Sequence, residues 1–280
     1  MKKIKKLIMY FIIRLKFIFA VNWTKTFYIN FRTQSFRTAL KLPILVFGRL
    51  KIYTLKGNIE IIDPIHFGMM QIGKDMDHMP ISLLPVKLRI HGDLIIGGDV
   101  IINSGSVLEV LRGSSMILGK YCIICSGVYL KSENLVEIGK NTRITSGCFL
   151  MDTNMHSLRN TLTGEVTKRN EPISIGNNCW IAMNTTILKG TKLPNGSIVG
   201  RGSFLNKDYT KLCPENSILA GSPVKVISKN VQRVWSLDEE IEIRSYFDNN
   251  QNEKYYKMDK GIKEYSDNEL VNDFKLFSKS

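Results

Sequence analysis

The sequence predicts a mainly β fold, a parallel β-helix of hexapeptide repeats with helical extensions at its N-terminal and C-terminal ends. Aliphatic residues recur at every sixth position within residues 96–205, and small residues recur four positions after them. An α-helix of 3.6 residues per turn loses that phase, and simple strand alternation would not restrict both positions. Three short strands of six residues each complete one coil, and successive coils stack into a solenoid.

The repeat is clearest in three blocks and one continuous run. The blocks IGGDVIINSGSVL, LGKYCIICSGVYL and IGKNTRITSGCFL begin at residues 96, 118 and 138, and the run IGNNCWIAMNTTILKG begins at residue 175. Large aliphatic residues are predicted to fill the axis, and small residues to lie where the chain turns a corner. The small residues are Val100, Ser106, Cys122, Val128, Thr142, Cys148, Cys179, Thr185, Thr191, Ser197 and Ser203. Three of the five cysteines therefore have a predicted packing role.

Positive charge is concentrated in the N-terminal segment. The 280-residue chain has a formal net charge of +14, but residues 1–59 hold thirteen Lys or Arg and no acidic residue. This local excess predicts no nucleic-acid partner, because the rest of the chain is nearly neutral. The first stretch, MKKIKKLIMYFIIRLKFIFA, predicts a basic amphipathic helix at an anionic membrane surface, or one packed on the protein itself or a neighbouring subunit. Its apolar run is too short to span a bilayer.

These patterns divide the chain into three parts. Residues 1–59 form the basic N-terminal segment with its amphipathic helix, residues 60–235 the β-helix, and residues 236–280 a C-terminal helical tail. Ser236 and Glu239 match a capping box, which predicts a helix through about Phe247. A further helix is predicted near residues 267–277.

The repeat stops between Leu150 and Ile175, and this interruption predicts a functional loop. The loop contains His156, one of four histidines in the chain. A neutral imidazole is suited to act as a general base near pH 7. Asp152 and Asn154 are close enough in sequence to orient the ring of His156, and a backbone carbonyl could do so equally well.

The repeat resembles that of the hexapeptide-repeat acyltransferases over about residues 90–227. The resemblance is carried by PISIGNNCWIAMNTTILKG, SIVGRGSFLNKD and ILAGSPVKVI, and the stretch TKTFYINFRTQSFRTALKLPILVFGRLKI resembles the leader of the branch found in capsule and lipopolysaccharide loci. The resemblance implies a left-handed β-helix and a homotrimer with sites between subunits. It also implies acetyl-CoA as co-substrate, no metal, and His156 as the catalytic base.

The same resemblance implies roles for residues that follow the loop. The backbone N–H of Met183 is expected to stabilise the oxyanion, and Ala182 stands where the family commonly has Gly. The residues expected to contact acetyl-CoA are Trp180, Ala182, Gly200, Arg201, Lys207 and Lys225. Lys225 matches the family pattern, whereas Arg201 stands where the family usually has a small residue and is expected on its charge to contact a phosphate or to remain solvated.

The expected function is acetyl-CoA-dependent O-acetylation of a sugar hydroxyl in a surface polysaccharide (capsule or lipopolysaccharide) or its precursor. The acceptor is expected to be polymeric or lipid-linked, and the enzyme to be cytoplasmic, at the inner face of the membrane. Two alternatives remain: N-acetylation of an amino sugar or small molecule, and a non-catalytic β-helix scaffold. A zinc hydratase of the γ-carbonic anhydrase type is disfavoured, because His66, His78 and His91 precede or open the repeat.

Overall fold

The computed structural model describes residues 16–75 and 80–279, and within these ranges the strands form a β-helix with three parallel sheets. The chain runs from sheet 1 to sheet 2 to sheet 3 and returns to sheet 1 one coil further on. The three edges of this prism are called corner 1–2, corner 2–3 and corner 3–1. Most of the predicted amphipathic helix at residues 1–20 lies outside the described residues, of which 16–20 are helical.

Of the strands in the described ranges, all except two belong to one of these sheets. Sheet 1 contains β1 Ile44–Val46, β4 Met70–Lys74, β7 Val100–Asn103, β10 Cys122–Ile124, β13 Arg143–Ile144, β18 Trp180–Ile181, β21 Ile198–Val199, β23 Ile218–Ala220 and the antiparallel β24 Lys225–Ser228. Sheet 2 contains β2 Leu50–Leu55, β5 Val86–Ile90, β8 Val107–Val110, β11 Tyr129–Ser132, β14 Phe149–Met151, β19 Thr186–Leu188 and β22 Phe204–Leu205. Sheet 3 contains β3 Asn58–Ile61, β6 Asp93–Ile96, β9 Ser115–Leu118, β12 Leu135–Ile138, β17 Ile173–Ile175 and β20 Lys192–Leu193. The remaining two strands, β15 Leu158–Arg159 and β16 Val166–Thr167, form an antiparallel hairpin.

The core confirms the six-residue repeat. Its aliphatic positions from Ile96 to Leu205 are at most 3% exposed, and all eleven of the small residues are at most 1% exposed. Burial raises the pKa of Cys122 to about 11 and that of Cys179 to about 12. Both thiols therefore stay protonated at neutral pH and serve as small packing residues.

The predicted boundary at residue 60 is wrong, because the β-helix begins earlier. β1 pairs in parallel with β4, β2 with β5 and β3 with β6, so residues 44–61 already form a coil. The coils before residue 90 are separated by irregular turns and a short 3₁₀ helix at Pro80–Leu83. These insertions interrupt the six-residue period, which is why the sequence pattern becomes visible only later in the chain.

Two N-terminal helices, α1 Trp23–Thr33 and α2 Phe36–Ala39, cover the open end of the β-helix. The amide of Asn30 donates to Ile44 O (2.6 Å) and accepts from Ile44 N (3.1 Å), while the Thr26 hydroxyl accepts from Val46 N (3.0 Å). These bonds pair backbone N–H and C=O groups at the exposed edge of β1. Without them, the edge would be free to pair with another chain. Ile29 is fully buried and extends the aliphatic core.

The C-terminal tail carries α3 Leu237–Asn249 and α4 Asp267–Lys279, which confirms both predicted helices. Ser236 caps α3, because its hydroxyl accepts from Glu239 N (3.4 Å). α4 packs on the outer face of sheet 1, where Leu270 and Phe274 join Trp235 in a buried cluster. Over the described part of the chain, no helix combines the length and hydropathy needed to cross a bilayer.

Candidate active site

The loop that interrupts the repeat leaves the β-helix at corner 2–3. It starts after β14 in sheet 2 and returns at β17, which pairs directly with β12 in sheet 3. The strand ladder therefore continues past the loop as if it were absent. The loop itself is the β15–β16 hairpin, whose side chains are exposed.

Asp152 anchors the base of this loop. Its two carboxylate oxygens accept from the backbone N–H groups of Glu133 and Asn134, both at 2.7 Å, and its side chain is buried. Burial raises the pKa of Asp152, although these hydrogen bonds act in the opposite direction. An ion pair between Arg169 and Glu133 fixes the returning chain to the same turn. Asp152 thus binds the turn of the preceding coil and anchors the loop to it. The sequence pattern does not predict this anchoring role.

His156 lies beyond this anchored base, on the exposed part of the loop. Within the described residues, no hydrogen bond reaches its ring. The backbone N–H of Asn154 donates to Arg169 O (2.8 Å), so Asn154 helps to close the loop. Met155 adopts a left-handed conformation (φ 60°), and its sulfur lies 3.5 Å from Lys131 Nζ on sheet 2. The loop therefore leans toward sheet 2, while the roles of Asp152 and Asn154 as ring partners remain predictions.

Met183 lies at corner 1–2, on the other edge of sheet 2. The coils at this corner share a hydrogen-bond ladder in which Asn184 N donates to Ser146 O (3.1 Å) and Gly202 N donates to Met183 O (3.0 Å). The residues that donate these bonds are left-handed, and Asn184 (φ 58°) takes the place that glycine has in neighbouring coils, such as Gly202 (φ 70°). Met183 and Arg201 occupy the position directly before this left-handed residue. In the earlier coils the same position holds buried serines, such as Ser146. The backbone N–H of Met183 donates to no acceptor among the described residues.

Corner 1–2 brings together most of the residues predicted to contact acetyl-CoA. Ala182 N donates to Val199 O (2.9 Å), and Gly200 N donates to Leu219 O (2.8 Å), so Ala182 and Gly200 lie in adjacent coils. Arg201 is exposed beside them, and Lys225 pairs with Ala220, against which Gly200 packs. Lys207 is the exception. Its carbonyl accepts from Lys192 N (3.2 Å) at corner 2–3, on the same side as the His156 loop.

Trp180 lies on the outer face of sheet 1 and is 39% exposed. Arg233, from the segment that joins the β-helix to α3, stacks over Trp180 at 5.6 Å and over Trp235 at 4.0 Å from the ring centres. Arg233 and Trp235 are not predicted from the sequence. They lie in the short stretch RVW directly before the capping box, which does not belong to the six-residue repeat and so gives no indication of where its side chains pack.

The outer face of sheet 2 lies between the His156 loop and Met183. It carries half-buried apolar side chains, and the rings of Tyr129 and Phe149 stack at 4.9 Å. Leu188 and Phe204 continue this apolar face toward the last coils. In one chain, this face separates His156 from Met183, so the two residues occupy opposite edges of the same sheet.

Histidines outside the loop do not assemble a metal site in the described ranges. No three His, Cys, Asp or Glu side chains there are grouped so as to hold an ion. His66 is exposed and pairs with Asp99 (3.2 Å), and His78 lies outside the described residues.

Comparison with known proteins found no matching family model. The chain is 28% identical over 153 residues to WbbJ of Escherichia coli K12, provisionally named a lipopolysaccharide biosynthesis O-acetyl transferase; the match covers 52% of this chain and 76% of WbbJ. It is 30% identical over 115 residues to the galactoside O-acetyltransferase of the same organism, covering 41% of this chain and 54% of that enzyme. The chain thus spans about half the length of that second relative.

Solved structures of acetyltransferases are also similar to the chain. The polysialic acid-specific acetyltransferase NeuO matches with 20% identity and a TM-score of 0.43, covering 74% of this chain and 94% of NeuO. The polysialic acid O-acetyltransferase OatWY matches with 18% identity and a TM-score of 0.45, covering 71% of this chain and all of OatWY.

Proposed function

We propose that this chain, a hexapeptide-repeat acyltransferase, transfers acetyl from acetyl-CoA to a hydroxyl group of a surface polysaccharide or its precursor. The observation that carries the proposal is the anchored loop with His156 on an otherwise unbroken β-helix, across sheet 2 from the corner that carries the Met183 N–H. The proposal includes the left-handed winding of the coils that the resemblance implies.

The chemistry requires no covalent enzyme intermediate. His156 removes the proton from the sugar hydroxyl while that oxygen attacks the thioester carbon of acetyl-CoA. The negative charge that develops on the carbonyl oxygen is stabilised by the Met183 N–H, a donor already in place before the reaction. Collapse of this intermediate breaks the carbon–sulfur bond, and the imidazolium returns the proton to the departing CoA thiolate. The products are the O-acetylated sugar and free CoA.

The position of the two groups supports a site shared between subunits. His156 and Met183 lie at opposite edges of sheet 2, whose apolar outer face is only half-buried in the single chain. If three chains pack these faces around a threefold axis, corner 2–3 of each chain meets corner 1–2 of its neighbour. We therefore propose a homotrimer in which His156 of one subunit works with Met183 of the next.

The experiment that tests the proposed reaction is transfer of radiolabelled acetyl from acetyl-CoA to purified surface polysaccharide. Label that enters the polysaccharide and is released by neutral hydroxylamine identifies an ester and supports O-acetylation. Label resistant to hydroxylamine identifies an amide and would replace the proposal with N-acetylation of an amino sugar. Absence of transfer to any saccharide acceptor would contradict both reactions.

We also propose that the enzyme works at the cytoplasmic face of the membrane, docked through α1 and α2. Trp23, Phe27, Phe31 and Phe36 form an aromatic row with neighbouring ring centres 5.9–6.5 Å apart, and the last three are at least 45% exposed. This aromatic row belongs to the segment that has thirteen basic and no acidic residues. Aromatic rings favour the interface of a bilayer, and the basic side chains favour anionic lipid.

Co-sedimentation with phosphatidylglycerol-rich vesicles tests this docking. We expect the double variant Phe27→Ser/Phe31→Ser to bind these vesicles about tenfold less than wild type, because two partly buried rings contribute roughly 1–3 kcal/mol. Tyr255→Ser, which removes an exposed ring (83%) in the tail, should bind as wild type does. Equal binding by the double variant, or equal binding to phosphatidylcholine vesicles, would contradict the proposal.

A further inference from the structure

The outer face of sheet 1 carries a cluster in which hydrogen-bond donors outnumber acceptors. Trp180, Arg233, Trp235 and Arg143 form a stack, because Arg233 lies over both tryptophan rings and Arg143 lies 5.4 Å from the Trp235 ring. Arg143 is buried and pairs with Asp273 (2.5 Å). The Asp273 carboxylate is therefore already engaged by Arg143, one of the two guanidinium groups of the cluster.

Arg233 has no such counter-ion. It forms no ion pair with any residue that the structure describes, and Glu240 and Asp273 act on it only at longer range. Its pKa is lowered from the ordinary value by burial and by the charge of Arg143. Arg233 lies over both tryptophan rings, and a guanidinium stacked on aromatic faces can still donate from its N–H groups to a carboxylate or a phosphate.

A second donor in the cluster is unsatisfied. Trp235 is 1% exposed, and its indole N–H has no hydrogen-bond partner among the described residues. A buried donor without a partner costs free energy, so an acceptor that reached this N–H would be bound favourably. Trp180, which is 39% exposed, leaves the stack open to solvent on one side.

We propose that Arg233, with Trp180 and Trp235, forms an oxyanion-binding site for a phosphate of the CoA donor or a carboxylate of an acidic sugar acceptor. The proposal rests on the proposed function, because Trp180 lies three residues before Met183 on the same coil. At about 3.3 Å per residue, the site is about 10 Å along the chain from the donor to the oxyanion. It would therefore hold a charged group remote from the reacting carbonyl and orient the molecule that bears it.

Calorimetric titration of the full-length protein with CoA, and separately with inorganic pyrophosphate, tests the site. We expect Arg233→Gln to weaken binding of both about tenfold, as expected for loss of a charge-assisted hydrogen bond. Arg244→Gln is the matched control, because Arg244 is 78% exposed and pairs at 3.8 Å only with Glu240 in the same helix. It should leave both affinities unchanged.

The outcomes separate the two ligand sources and the proposed function. If CoA binding by Arg233→Gln is unchanged but its KM for an acidic polysaccharide rises about tenfold, the site holds the acceptor carboxylate. Unchanged binding of CoA and pyrophosphate together with an unchanged KM would overturn the site and leave the acetyl transfer standing. Wild-type protein that binds pyrophosphate through Arg233 but does not bind CoA would contradict the proposed function and retain the site.

A second variant covers the case in which Arg233→Gln fails to fold. Arg233→Lys keeps the charge and the apolar stem but loses the planar group that stacks on both rings. We expect it to keep the wild-type melting temperature within a few degrees and to bind pyrophosphate severalfold more weakly. Full affinity in this variant would show that charge alone suffices, which contradicts a site built on the stacked guanidinium.

Discussion

The His156→Ala enzyme is expected to lose a factor of about 10²–10⁴ in kcat, the usual contribution of a general base. Its affinity for acetyl-CoA should not change, because the residues expected to hold the donor lie mainly at corner 1–2. Its melting temperature should also stay the same, since His156 is exposed and no hydrogen bond from the described residues reaches its ring. Acetyl transfer and calorimetric binding of CoA measure the two effects separately.

His66→Ala is the matched control for this variant. His66 is a second exposed histidine, whose contacts are an ion pair with Asp99 and a bond to its neighbour Phe67, outside the repeat loop. Its replacement should leave kcat within about twofold of wild type, because a surface ion pair contributes little. A His156→Ala enzyme with the kcat of the His66→Ala enzyme would remove His156 from the mechanism.

The Asp273→Ala protein is expected to lose about 3–5 kcal/mol in its free energy of unfolding. Asp273 and Arg143 pair at 2.5 Å, and their side chains are only 9% and 4% exposed. Removal of Asp273 leaves the Arg143 guanidinium buried without its carboxylate, which is far more costly than loss of the attraction itself. Urea unfolding, followed by tryptophan fluorescence and by proteolysis of the tail, measures the change.

Asp267→Ala provides the comparison within the same helix. Asp267 pairs with Lys140 at the same 2.5 Å, but these side chains are 61% and 41% exposed, so we expect a cost of at most about 1 kcal/mol. The double variant Arg143→Met/Asp273→Leu should recover most of the lost stability, because no charge remains buried. Equal costs for Asp273→Ala and Asp267→Ala would show that burial does not determine the effect.

The sequence predicts the interior of this protein well, because the repeat constrains it at two positions in every six. The aliphatic and small residues from residue 96 onward lie where the period puts them, and the loop with His156 lies where the period stops. The early coils were missed because turns of unequal length separate their strands. Local patterns also found the Ser236 cap, which depends on residues three apart.

Contacts between distant parts of the chain could not be predicted in the same way. Arg143 occupies an outward position of β13, where the repeat predicts solvent, yet it is buried by Asp273 from a helix 130 residues later. The Asp152 carboxylate accepts a hydrogen bond from the backbone of the turn at Glu133, instead of contacting the loop that contains His156. His156 and Met183 lie at different corners because of the sheet that each neighbouring strand joins, which the sequence pattern alone does not give.

One active site is proposed to take His156 from one subunit and the Met183 N–H from the next. Its most direct test mixes subunits of two inactive variants, His156→Ala and Met183→Pro, in one trimer. A shared site predicts that random mixing restores about a quarter of wild-type acetyl transfer, because one interface arrangement in four pairs an intact histidine with an intact N–H. Mixed trimers that remain as inactive as either parent would contradict the shared site.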